Sequence, residues 1–248
     1  MITIKNKKEL EIMRQAGLIV ADTLERLAGL VKPGITTDAL DRFAESYLAE
    51  RGAKASFKGY NGFPASVCVS VNEEVVHGIP GKRRLQEGDI VGIDLGAIVN
   101  GWHGDAAITV PVGEVDPEIK RLLKVAEESL YLGIKAAQPG ARLGTVSHAI
   151  QSHVEKAGFS IVRQYVGHGI GRQMHEDPPV PNYGRPDRGP VLTEGMTIAI
   201  EPMVNVGGYE VLVKSDNWTV ITRDGSYSAH FEHTVAITSK GPEILTRK

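Results

Sequence analysis

Two aspartates eleven residues apart, Asp94 and Asp105, bracket a run whose pattern folds it back on itself. Between them Asn100-Gly101 separates two apolar stretches, and Asn-Gly is the favoured two-residue turn of a β-hairpin. With that turn Val99 faces Trp102, and Asp105 falls opposite Gly96. Asp94 lies two residues from Gly96 on the same strand, so both carboxylates share one face as diagonal neighbours, about 7 to 8 Å apart at Cα. Like charges aimed at one spot in a half-buried sheet are unfavourable unless a cation sits between them or one carboxyl keeps its proton. The other reading is a pair of solvated aspartates on an edge hairpin, and the apolar flanks count against it. Gly92, Gly96 and Gly104 are expected to leave open space beside the acids. His103 shares the face by parity and is a rival ligand, but it stands nearer the turn and is set aside.

Three more groups belong with this pair. His168 sits between glycines in Val166-Gly167-His168-Gly169-Ile170-Gly171, where the backbone can fold tightly and aim an imidazole into the space ahead. Glu201 ends an apolar strand in Ile198-Ala199-Ile200-Glu201-Pro202, with a proline that removes the next backbone donor. Glu232 lies in a β-rich run, Phe231-Glu232-His233-Thr234-Val235. Singly, each has an ordinary reading as a core histidine or as an acid paired with Arg or Lys. Together, Asp94, Asp105, His168, Glu201 and Glu232 form a hard, oxygen-rich set with one imidazole, suited to Mn, Fe, Co or Zn in a binuclear site.

Groups so scattered in sequence need a framework to gather them. Met13, Ala16, Val20, Leu24, Leu27 and Val31 mark one apolar face of a long helix ending at Lys32-Pro33-Gly34. Thr37 is expected to cap a second helix that turns Leu40, Phe43, Ala44, Tyr47 and Leu48 inward and stops at Gly52. The same grammar returns in Glu118 to Ala137, in Gln138-Pro139-Gly140, in a helix through Val146, Ile150 and Val154, and in Gly158. Pro33 and Pro139, Gly34 and Gly140, and Gly52 and Gly158 are each 106 residues apart. After each helix pair, Ser66 to Val110 and Val191 to Ile237 turn to β-branched residues punctuated by Gly, Asn and Asp. The expectation is an internally duplicated α+β fold: one catalytic domain of two pseudo-repeats, about 1–110 and 111–248. Helices would cover one face of a curved, mostly antiparallel sheet, with a pocket between the halves on the other face.

Composition narrows the function. With 42% apolar residues the 248-residue chain can bury a sizeable core, and a net charge of −2 argues against a nucleic-acid-binding surface. No apolar run approaches the roughly 18 to 20 residues that cross a bilayer. Cys68 is the only cysteine, so no intrachain disulfide can form, and no signal-peptide pattern opens the sequence. These features lead to the expectation of a cytoplasmic protein.

In order and spacing, Gly92-Ile93-Asp94, Asp105, Gly167-His168-Gly169, Ile200-Glu201-Pro202 and Phe231-Glu232-His233-Thr234 resemble the signature of the type I methionine aminopeptidases. The likeness extends to Gly59-Tyr60-Asn61-Gly62-Phe63-Pro64, Val76-His77-Gly78-Ile79-Pro80 and Met174-His175-Glu176. It implies the duplicated pita-bread fold. Only 33 residues separate His168 from Glu201, too few for the helical insertion of type II members, and no zinc-binding amino-terminal extension precedes the first helix. The short bacterial form is therefore expected.

By position, the resemblance makes Asp94 a chelating ligand of one metal ion, His168 and Glu201 ligands of a second, and Asp105 and Glu232 bridges between them. Two cations would lower the pKa of a shared water, supply hydroxide near neutral pH and polarise the scissile carbonyl. Glu201 is then the expected proton shuttle, and His77 and His175 the neutral imidazoles that bond the scissile amide and the developing oxyanion. Tyr60, Phe63, Cys68, Met174 and Trp218 would line the methionine pocket. Met174 stands where the family commonly has an aromatic residue, and Phe63 where it has a tyrosine. The implied activity is removal of initiator methionine from nascent polypeptides with a small second residue, in transient contact with the ribosome, and a monomer is the default expectation. No membrane and no specific nucleic-acid sequence would be involved. An Xaa-Pro aminopeptidase or prolidase is the enzymatic rival, although such proteins usually carry a further amino-terminal domain. A pita-bread binding protein without catalysis is the other, although such proteins lose metal ligands.

Overall fold

Asn6 opens the first helix with a reciprocal capping box. Its side chain accepts from the N–H groups of Lys8 and Glu9, and the Glu9 carboxylate accepts from the Asn6 N–H. Helix α1 runs Lys7–Leu30 and buries Met13, Ala16, Val20, Leu24 and Leu27, as the periodicity requires. Helix α2, Thr37–Glu50, is capped by Thr36, one residue earlier than expected, whose hydroxyl accepts from Ala39 N–H. Thr37 is the first helical residue and turns its hydroxyl to the backbone of Gly81 instead.

The structure, a computed structural model, describes residues 1–248. After α2 come β1 (Lys54–Ala55), a 3-10 turn (Tyr60–Gly62), β2 (Cys68–Val71), β3 (Glu74–Val76), β4 (Ile90–Val99) and β5 (Trp102–Pro111). Helices α3 (Pro117–Ala136) and α4 (Leu143–Lys156) follow. The chain then forms β6 (Ser160–Ile161), β7 (Gly167–Gly169), β8 (Glu176–Val180), β9 (Thr197–Ile200) and β10 (Met203–Asn205). It ends with β11 (Val211–Val213), β12 (Val220–Thr222), β13 (Ser228–His230), β14 (Glu232–Thr238) and β15 (Gly241–Ile244).

The bounds of α2 shifted by 106 are those of α4, and α1 and α3 end the same distance apart. Gly34 and Gly140 take φ of +90° and +85°, and Gly52 and Gly158 take +70° and +83°, left-handed turns that suit glycine. The β-segments of the two halves differ. In the first, β4 and β5 are unbroken and joined by Asn100-Gly101, with φ of 49° and 78°. In the second, Glu201-Pro202 separates β9 from β10, Phe231 separates β13 from β14, and the connection between β10 and β13 carries the β11–β12 hairpin.

A nine-stranded sheet runs β1-β4-β5-β14-β9-β7-β8, with β2 also on β4 and β15 also on β14, and every pairing in it is antiparallel. The hairpin register is the expected one: Val99 pairs with Trp102, Gly96 with Asp105 and Asp94 with Ala107. One face is covered by helices. Ile93 and Leu95 join Val20, Leu24, Leu27 and Leu40 in an apolar cluster under α1 and α2. Ile198, Ile200 and Val235 join Leu122, Leu130 and Ile150 in another under α3 and α4. Side chains alternate across a sheet, so the intervening Asp94, Ala199 and Thr234 point to the opposite, open face. This is the pita-bread α+β architecture. No helix is long and apolar enough to cross a membrane.

Gly96 and Gly104 correct the sequence reading, because neither borders empty space. A Cβ on Gly96 would stand 2.7 Å from Ser56 Cβ, and one on Gly104 would stand 2.7 Å from the Gly17 backbone nitrogen. The first admits the Ser56–Phe57 strap onto the sheet, and the second lets α1 settle against β5.

Candidate metal centre and active site

Five adjacent strands, β4, β5, β14, β9 and β7, bring the five expected ligands together. Asp94 is on β4, Asp105 on β5 and Glu232 opens β14, while Glu201 directly follows β9 and His168 is the middle residue of β7. Ladder pairs fix the shared face: Asp94 pairs with Ala107, Ala107 with Glu232, and Ala199 with both Thr234 and His168. Paired residues project to the same side, and positions two apart do also, which adds Asp105 and Glu201. Ala107 and Ala199 contribute only methyl groups between the acids and so leave them room.

Asp105 is fixed by a residue whose role the sequence did not disclose. The β5–β14 ladder ends at Ala106 and His233, and beyond it the Thr234 hydroxyl accepts from Asp105 N–H at 3.0 Å and donates to Asp105 C=O at 2.8 Å. A side chain thus replaces the missing backbone partner where the strands separate.

Three oxygens of the expected ligands lack protein partners. Oδ1 of Asp94, Oδ1 of Asp105 and Oε1 of Glu232 are buried without a hydrogen bond. Asp105, His168 and Glu232 each offer a ligand atom, all within 4.8 Å of one another. Burial, reinforced by neighbouring carboxylates, pushes Asp94, Glu201 and Glu232 well above the usual carboxyl range. Burial brings Asp105 up to about 7. His168 Nδ1 donates to the Gly169 carbonyl at 2.8 Å, leaving the Nε2 lone pair free, 3.6 Å from Glu201 Oε1. Burial lowers His168 to about 3, which keeps it neutral and able to ligate. Orphaned oxygens, a neutral imidazole and mutually repelling acids all fit divalent cations.

The five expected ligands line a cavity of about 180 Å³. His77 and His175 line it, as do Tyr60, Phe63, Cys68, Met174 and Trp218, so every residue expected at the site borders the same space. Phe57, Phe63, Cys68 and Met174 form an apolar cluster against which Trp218 packs, with Phe63 and Trp218 edge to face at 5.1 Å. Cys68 pairs with Asp94 across the ladder and therefore faces the cavity, where burial and the nearby acids hold its thiol protonated. Trp218 comes from the turn between β11 and β12, where Asp216 accepts from the N–H groups of Trp218 and Thr219.

The two imidazoles are held differently. His77 sits at φ +60°, a strained region for a non-glycine residue, and the following Gly78 is required because a Cβ there would stand 2.2 Å from Val69 O. Burial, with His175 nearby, lowers His77 to about 4. His175 exchanges a 2.8 Å hydrogen bond with the Tyr60 hydroxyl through Nδ1, and its ring centroid is 4.2 Å from that of His168. Burial lowers its pKa too.

Phe57, Asn61 and His230 escaped the sequence reading as site residues. Phe57 and Asn61 line the cavity, and His230 Nε2 lies 3.7 Å from Glu201 Oε2. Asn61 lies inside the Gly59–Pro64 motif, whereas Phe57 and His230 carry no local sign of their place. His103, the rival ligand, bonds Ser56 Oγ through Nδ1 at 2.9 Å and does not line the cavity.

Comparison with known proteins agrees with this geometry. A model of metallopeptidase family M24 matches residues 11–239. The chain is 58% identical over 247 residues to methionine aminopeptidase 1 of Bacillus subtilis, covering all of both chains. It is also 58% identical to a methionine aminopeptidase of Clostridium acetobutylicum, with 99% of each covered. The crystal structure of a methionine aminopeptidase from Thermotoga maritima superposes with a TM-score of 0.99 at 51% identity, over 100% of both chains. The prolidase of Pyrococcus furiosus gives a TM-score of 0.81 at 25% identity, and the match covers 99% of this chain but 65% of that one.

Proposed function

The chain belongs to metallopeptidase family M24, and from its full-length likeness to methionine aminopeptidases we infer that it removes amino-terminal methionine from polypeptides by metal-dependent hydrolysis. The observation that carries this reading is a single cavity lined both by unpartnered acids and by an apolar cluster. Asp94, Asp105, His168, Glu201 and Glu232 would hold two divalent ions. Bound there, the ions supply Lewis acidity that activates water and polarises the scissile carbonyl.

The chain's own groups do the rest. Phe57, Phe63, Cys68, Met174 and Trp218 take the methionine side chain, whose desolvation favours binding there. With the Tyr60 hydroxyl donating to His175 Nδ1, Nε2–H of His175 is the donor for the developing oxyanion. His77, neutral and beside Trp218, bonds the scissile amide. Glu201 is the proton carrier: directly after β9 and lining the cavity beside the other acids, it can take a proton from water and return it to the departing amine. The apolar cluster supports a preference for methionine at the first position, and crowding beyond the scissile bond would restrict the second residue to small ones.

The same proposal extends to the finer biology. The substrates are nascent chains, met in the cytoplasm during transient contact with the ribosome, and the enzyme acts as a monomer. The equal spacing of the two helix pairs supports one catalytic domain of two pseudo-repeats, about 1–110 and 111–248. Turnover of Met-Ala-Ser set against an Xaa-Pro peptide, with and without chelator, tests the assignment. Metal-dependent release of methionine alone is expected. Preferred cleavage of the Xaa-Pro peptide would assign the prolidase reaction, and no metal-dependent turnover of either would leave a binding protein.

A further inference from the structure

Lys5 is a buried cation far in sequence from the site, and its partner is the neighbour of a catalytic imidazole. Only 4% of Lys5 is exposed, and its Nζ lies 2.6 Å from Glu176 Oε2. The same Nζ donates to Thr3 Oγ1 at 2.6 Å and to Thr3 C=O at 3.3 Å, while the Thr3 hydroxyl donates to the same Glu176 oxygen. The other carboxylate oxygen, Oε1, accepts from Gln173 N–H at 3.2 Å. Residues 171–175 form neither helix nor strand, so few backbone ladder bonds hold them. They wrap the pair closely: a Cβ on Gly171 would stand 2.6 Å from both Glu176 Oε1 and Lys5 Cε. Lys5 is itself anchored, since its N–H donates to Gly195 C=O at 2.8 Å.

Within this wrapped segment are Met174, on the apolar wall, and His175, whose ring meets Tyr60 and His168. We propose that the Lys5–Glu176 pair is a positioning device, fixing the backbone of the 171–176 bend so that His175 is aimed at the scissile group. The inference rests on the functional reading above. A buried ion pair is weak support for stability, since apolar residues can replace it without loss, but its directional bonds fix geometry. Displacement of a reacting group by about 1 Å can cost about a hundredfold in rate. Glu176 thus acts through His175 without touching substrate.

The test is a double-mutant cycle read in kcat, KM and bound metal, on full-length protein with no amino-terminal extension. Lys5→Met keeps the stem and removes the charge. It is expected to lower kcat about tenfold or more, with KM changed by less than about twofold and metal content unchanged. Combined with His175→Ala, the same substitution should change kcat by less than about twofold, because its effect passes through the imidazole already removed. Thr3→Val, which spares the ion pair, should give a smaller loss of kcat that also disappears in the His175→Ala background, and it serves if Lys5→Met does not fold. Full kcat in both Lys5→Met and Thr3→Val, or an equal loss in both backgrounds, would overturn the proposal while leaving the function intact. Absence of metal-dependent turnover in the parent enzyme would instead overturn the functional reading, and the inference with it.

Discussion

Three carboxylate oxygens, on Asp94, Asp105 and Glu232, are buried with nothing to bond, a lack that divalent cations would make good. Asp94→Asn and Glu232→Gln should therefore each lower turnover by at least about a thousandfold, with the fold intact by circular dichroism. Metal-free protein should be no less stable in either variant, because each replaces a buried acid whose ionisation its surroundings oppose. The acids also set a pH dependence. Asp105 titrates at 3.8 when unperturbed and, through burial, at about 7 in the folded chain. Folded protein then holds more protons than unfolded protein between those values, so the contribution is complete below pH 4 and lost as pH rises through 7. Metal-free protein should melt lower at pH 8 than at pH 6, and added divalent metal should raise the melting temperature more at pH 8. A melting temperature indifferent to pH in the metal-free protein would contradict this. At this scale the sequence was informative where chemistry leaves a local mark: acids on apolar strands and a histidine between glycines. Thr234 and His230 left none, because their work depends on where strands separate and which strands become neighbours.

Elements carry these residues to their places through a few close approaches. Helix α1 reaches β5 because Gly17 and Gly104 meet without side chains, and a Cβ on Gly17 would also stand 2.2 Å from Leu245 O. Gly104→Ala should destabilise by about 1–3 kcal/mol, the range of an overpacked core, as read by chemical denaturation. Turnover per folded molecule should fall with it, since β5 carries Asp105. Unchanged stability would mean that α1 is free to move away. The hairpin register was legible because Asn100-Gly101 fixes it locally, and the helix pairs were legible through periodicity and paired glycines. The occupied sides of Gly96 and Gly104 were not, because a glycine in sequence reads the same whether it leaves a gap or admits a neighbour. Thr36 displaced Thr37 as the cap because Thr37 bonds to Gly81, a contact made across 44 residues.

Across the whole molecule, one cavity is lined by the five acid and imidazole groups and by an apolar cluster, and both halves of the chain furnish each. Asp94 and Asp105 come from the first half and His168, Glu201 and Glu232 from the second, so neither half holds the site alone. Trp218 arrives on the β11–β12 hairpin, and only family resemblance, with no spacing rule, pointed to it. The central claim is that these five groups hold divalent ions on which hydrolysis depends. Titrating metal back into chelated protein, while following bound metal and release of methionine from Met-Ala-Ser together, tests it most directly. Activity should be absent after chelation and return in step with binding, and Glu232→Gln should recover neither. Full turnover by the chelated protein, or metal bound with no return of activity, would contradict the account.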